Sequence, residues 1–127
     1  MQDPRKLRVN ERSHDLAVAT RAATKQFPAE GYSDLKKQMK RAVESIPFNI
    51  AEGCGADTPA EFARFLSISI KSAFELEAQL RLAASYKVLA AKTAAELTDE
   101  VVVVRKMLYK LRRRVLGDQG NGPNSKD

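Results

Sequence analysis

The 127-residue chain contains one cysteine, one histidine and no tryptophan, and aromatic residues make up 6% of it. These shortages remove several classes of function. A lone Cys54 cannot form an intrachain disulfide, which agrees with a reducing compartment. His14 has no cysteine or second histidine near it in sequence, so it is expected to be a solvated helix residue rather than a metal ligand. A Cys–His nucleophile pair would need Cys54 and His14, and nothing in the sequence orients either. No apolar run approaches the ~20 residues that cross a bilayer. The N-terminus leads into no apolar signal core, so a cytoplasmic location without membrane contact is expected. A glycine-rich phosphate loop is missing too: the Glu52-Gly53-Cys54-Gly55 stretch lacks the lysine and hydroxyl of a nucleotide-binding motif. Glu75 and Glu77 are two residues apart, so on a helix they point to different faces and make poor acid–base partners. The Glu-x-x-His spacing of di-iron bundles is absent. The expectation is a non-enzymatic protein with no cofactor and no metal.

What is present is helical. Hydrophobic residues reach 43%, enough for one domain with a single core. No segment alternates like a strand, and no internal repeat is found. The first helix is expected over about 11–26, with Leu16, Ala19, Ala23 and Phe27 as its buried stripe and Pro28 as its stop. The second is expected over about 33–53, capped by Ser33, with Leu35, Met39, Ala42, Ile46 and Ile50 on one face. The third, over about 58–85, carries a strong start signal in Thr58, Pro59 and Glu61. Its stripe runs through Phe62, Phe65 or Leu66, Ser69, Ala73, Leu76, Leu80 and Ala83 or Ala84. The fourth, over about 91–116, has Leu97, Val101, Val104, Leu108, Leu111 and Val115 alternating four and three, as bundle packing needs. Residues 1–10 and 117–127 read as flexible ends by composition. Four helices with short turns imply an all-α, up-down-up-down four-helix bundle.

The stretch 45–53 is the most distinctive. Pro47 sits inside the second helix, where it removes a backbone donor at a cost of about 3 kcal/mol. Asn49 and Glu52 follow, and Gly53 ends the pattern like a C-terminal cap. The polar residues beside the proline form either a fixed internal hydrogen-bond arrangement or a solvated face of a kinked helix. Arg41 has Glu75 and Glu77 across the second turn, or Glu52 on its own helix, as candidate ion-pair partners.

The formal charge of +6 with a pI of about 9.6 attracts polyanions or acidic partners. Its distribution says more. Arg105, Lys106, Lys110, Arg112, Arg113 and Arg114 crowd the fourth helix, with no acid between them. Lys36, Lys37 and Lys40 line the outward side of the second, as an ordinary solvated face or as a second phosphate-contacting patch. Val102 and Tyr109 are seven apart, outside the core stripe. They are candidates for docking another subunit, or Tyr109 for stacking on a base.

Gln38, Arg41, Ala42, Ser45, Ile46, Pro47, Asn49, Ile50, Ala51, Glu52 and Gly53 resemble the signature of the 23S rRNA intervening-sequence proteins. The resemblance extends through Phe27-Pro28, Glu30 and Leu35 on one side. On the other it includes Glu61-Phe62, Arg64-Phe65-Leu66, Ser72, Glu75-Leu76-Glu77, Gln79-Leu80 and Ala83. It implies a four-helix bundle that self-associates into a ring, with a homo-pentamer as one known form. A related group serves reverse transcriptases as a basic accessory protein, which implies an RNA or nucleic-acid-associated partner. The sequence departs from the pattern in two places. Ala56 and Asp57 stand where a basic residue is common, and Lys71 stands where glycine is common, at a point where helices are expected to touch. The reading is a ring-like scaffold that binds structured RNA through its basic surfaces. A protein-binding adaptor without nucleic-acid contact is the alternative.

Overall fold

A computed structural model of the chain describes residues 2–4 and 7–117. Its elements are α1 (Arg8–Ala23), α2 (Ser33–Cys54), α3 (Pro59–Ser85) and α4 (Ala91–Gly117), with a short 3-10 turn at Thr24–Gln26. Among the described residues there is no strand. The turns are short, so successive helices run antiparallel. α1 packs on α2 and α4, and α3 packs on α2 and α4, in the up-down-up-down bundle that the spacing predicts. Arg5, Lys6 and the expected tail beyond Gly117 lie outside the described residues.

The stripes of α3 and α4 are where the sequence puts them. Leu66, Ser69, Ala73, Leu76, Leu80 and Ala83 are buried on α3, as are all six stripe positions of α4. Phe62 and Phe65 are half-buried. Met39, Ala42, Val43, Ile46 and Ile50 complete the core from α2. α1 differs from expectation. It begins at Arg8 rather than near Glu11, because Val9 is already buried against the bundle. Its inner face is partly polar: Ser13 and Thr20 are buried beside Leu16 and Ala23, while Ala19 is exposed. The Ser13 hydroxyl donates to the Asn10 carbonyl at 2.9 Å, and that of Thr24 to the Arg21 carbonyl at 2.6 Å. Local bonds of this kind let Ser13 and Thr24 go inside, whereas Thr20 Oγ1 is buried without a hydrogen-bond partner.

Both ends of α2 differ from the sequence reading. Ser33 does not cap it. Tyr32 occupies the N-cap position at φ 58, with no side-chain cap bond. Gly53 is not the C-cap either; the helix continues to Cys54, and Gly55 caps it at φ −87. Gly53 is buried where α2 crosses α3, and a β-carbon there would lie 2.8 Å from Phe62 Cδ1 and 3.2 Å from Phe65 Cβ. Its service is close approach, not left-handed geometry. α3 starts as predicted: the Glu61 N–H donates to Thr58 Oγ1 at 3.1 Å and Pro59 takes the first turn. Lys71 is exposed, so it does not come between helices of its own bundle.

The two turns at the other end are tied together. Tyr32 from the first and Tyr86 from the third bring their ring centroids to 5.5 Å. Lys87, beside Tyr86, is left-handed at φ 62. Gln26 accepts from the Ala90 N–H at 3.1 Å and donates to Thr93 Oγ1 at 3.2 Å.

Candidate nucleic-acid interface

The proline of α2 sits in a hydrogen-bonded setting. Asn49 Nδ2 donates to the Ser45 carbonyl at 2.9 Å and to Ser45 Oγ at 3.0 Å. Ser72 Oγ donates to Ser45 Oγ at 2.8 Å, and Ser69 Oγ donates to the Ile46 carbonyl at 2.9 Å. Two carbonyls in the turn before and around Pro47 therefore have side-chain donors, two of the bonds crossing from α3. This is the fixed arrangement rather than the solvated one, with Asn49 in it. Glu52 is outside it and exposed.

Arg41 and Glu75 face one another across a cleft of about 330 Å³ between α2 and α3, which Gln38, Ser45, Ser72 and Gln79 also line. They form no ion pair within 4 Å among the described residues; nor does Arg41 pair with Glu77 or Glu52. Glu77 belongs to Arg105 instead. Arg105 Nε lies 2.6 Å from Glu77 Oε2 and its Nη2 3.2 Å from Oε1, while its guanidinium covers the Phe74 ring at 4.5 Å. The hydrogen bond to Glu77 raises the Arg105 pKa above its already high ordinary value, so the fork stays charged.

This sorts the cations of α4. Arg105 fastens α4 to α3. Arg112 does likewise, donating to Ser67 Oγ at 3.0 Å and covering the Tyr109 ring at 4.9 Å. Lys106, Lys110 and Arg113 are exposed and have no acidic partner among the described residues. At i, i+4 and i+7 they share the outward side of the helix. Lys110 also lines a cleft of about 410 Å³ against α1, together with Arg8 and Arg114. Val102 and Tyr109 are both half-buried, Tyr109 packing partly on the core. On α2, Lys37 and Arg41 are exposed and Lys36 and Lys40 half-buried.

Residues 5–110 match the family of the 23S rRNA-intervening sequence protein. The chain belongs to that family. Among solved structures, the chain is similar to a protein of unknown function from the S23 ribosomal protein family of Bacteroides thetaiotaomicron. The two share 25% identity over 82% of this chain and 97% of the other, with a TM-score of 0.76. No curated protein matches. In this member of the 23S rRNA-intervening sequence family, the signature residues Gln38, Arg41 and Ser45 of α2 meet Ser72, Glu75 and Gln79 of α3 in the single cleft described above.

Catalytic or metal-binding clusters are not prominent. Among the described residues no three His, Cys, Asp or Glu side chains group to hold a metal ion. His14 is exposed. Cys54 is buried, and burial, aided by Asp3, pushes its pKa up, so the thiol stays protonated and a weak nucleophile near neutrality. No helix among the described residues is long and apolar enough to cross a membrane.

Sequence reasoning missed two residues. Phe48 is 66% exposed on α2, and Phe74 is 46% exposed beside Arg105. A signal for Phe48 was available. At 100° per residue it falls opposite the Met39–Ile46–Ile50 stripe, where an aromatic side chain has no core to join.

Proposed function

We propose that this protein is a non-enzymatic, cytoplasmic homo-oligomer that forms a ring and binds structured RNA through its basic surfaces. Five subunits is the form that the family resemblance implies. The observation that carries the RNA reading is the strip of Lys106, Lys110 and Arg113. These cations are exposed, aligned on one side of α4 and free of acidic partners among the described residues. Arg105 and Arg112, which hold α4 on α3, contribute field rather than direct phosphate contact. Binding by such a strip is led by shape and weakened by salt through counterion release.

Self-association draws on Val102 and Tyr109. Phe74, close to Arg105 on the same side of the α3–α4 pair, adds exposed apolar surface to them. That surface also favours the second reading, an adaptor that binds another protein there and no nucleic acid. Filter retention of ribosomal RNA fragments at low and moderate salt separates the two. The RNA reading expects retention at low salt, loss at moderate salt, and a salt slope smaller by about one for each of Lys106→Glu, Lys110→Glu and Arg113→Glu. Absence of retention at low salt refutes it.

A further inference from the structure

The outward side of α2 carries an aromatic ring among unpaired cations, and nothing so far explains it. Phe48 projects from the side of the helix opposite the core, at 66% exposure. It lines a cleft of about 470 Å³ together with Lys37, Lys40, Arg41 and Ser45. From Lys37 to Phe48 the strip is about 16 Å long, at ~1.5 Å per residue. None of the three cations has an acidic partner among the described residues. Glu44, the acid of this cleft, is shared with Arg21 of α1 at 3.5 Å. Arg41 and Ser45 also line the cleft between α2 and α3, so the two clefts lie side by side. In that second cleft Gln79 Oε1 is buried without a hydrogen-bond donor. Glu75 adds a second acceptor there.

We propose that this face binds an unpaired nucleotide segment of RNA. One base stacks on Phe48, Lys37, Lys40 and Arg41 contact the flanking phosphates, and a neighbouring base offers an amino group to the exposed Glu75. The inference rests on the RNA-binding reading above and names what the α2 face recognises within it. Two features favour nucleic acid over a protein partner. Lysine is depleted at protein interfaces, whereas phosphates call for it. A ring exposed over about two-thirds of its surface offers a stacking platform to any base, since every base has a π-face.

The test uses the full chain with two RNA probes of equal length, a single-stranded oligonucleotide and a perfect duplex, at one low salt concentration. Phe48 is 66% exposed, so Phe48→Ala should leave the fold intact, which circular dichroism verifies. The expected result is a loss of single-strand affinity of about ten-fold or more, with duplex affinity changed by less than about two-fold. Phe48→Trp provides an independent readout, because the chain has no tryptophan of its own. Its indole emission should quench as the single strand is added and saturate at the binding midpoint. If the unaltered protein binds the single strand and Phe48→Ala binds it equally well, this inference is overturned while the α4 reading stands. If Phe48→Ala instead lowers the particle mass and leaves RNA affinity unchanged, the face is a subunit contact and the inference is again overturned. If the unaltered protein binds neither probe, the RNA reading itself fails.

Discussion

Gly53 is the tightest point of the α2–α3 contact. Any side chain there meets Phe62 and Phe65 on α3, and the nearer part of Phe65 is its β-carbon, which cannot swing away. Alanine would gain helix propensity of about 1 kcal/mol over glycine. Overpacking a tight contact costs about 1–3 kcal/mol, so the clash prevails. Gly53→Ala should lower stability by about 1 kcal/mol, read as a lower urea midpoint with an unchanged slope. The equivalent change at Gly55 should be close to neutral, because nothing but its own helix carbonyls lies within 4 Å of a β-carbon there. The sequence announced a glycine at the right place but for another reason. A cap and a close crossing both select glycine, and only the position of the facing helix tells them apart.

At the scale of elements, hydrophobic period decided what could be read. α4 was legible because its stripe is all aliphatic; α1 was not, because Ser13 and Thr20 take inward positions that a search for apolar residues passes over. The basic cluster of α4 was legible as a number of charges but not as a set of partners. Arg105 and Glu77 are 28 residues apart in sequence, and their meeting depends on the register of two antiparallel helices. Arg41 and Glu75 share a cleft without bonding for the same reason. The Arg105–Glu77 pair is only about one-fifth exposed on each side, at 19% and 21%. Removing one partner leaves the other poorly solvated, a penalty larger than the net worth of the intact pair. Arg105→Ala should therefore cost about 1–2 kcal/mol, between the values for exposed and fully buried pairs. The double variant Arg105→Ala with Glu77→Ala should be more stable than the sum of the single effects predicts, which a thermodynamic cycle measures.

For the whole molecule, exposed apolar surface bears on how many copies work together. A basic chain that stays a single bundle would leave Phe48, Phe74, Leu82 and Tyr86 each more than 40% exposed. In the proposed ring the α3–α4 side would be covered by a neighbouring subunit and the α2 side by RNA. Val102→Glu should break the assembly into smaller particles by light scattering, with circular dichroism unchanged, because Val102 lies outside the buried stripe of α4, whereas Tyr109 packs partly on the core. A mass equal to one chain for the unaltered protein would remove the ring from the proposal.

The joined turns at the tyrosine end carry a mechanical consequence. α1–α2 and α3–α4 are two arms, and the chain links them only at the opposite end, through the turn after Cys54. The molecule is built like a pair of tongs. Tyr32 against Tyr86, with Gln26 reaching to Ala90 and Thr93, is the catch across the jaws. Releasing that catch should fray the tips alone, because the common core between α2 and α3 and the Arg12–Glu100 fork between α1 and α4, at 2.9 and 2.7 Å, clamp the arms along their length.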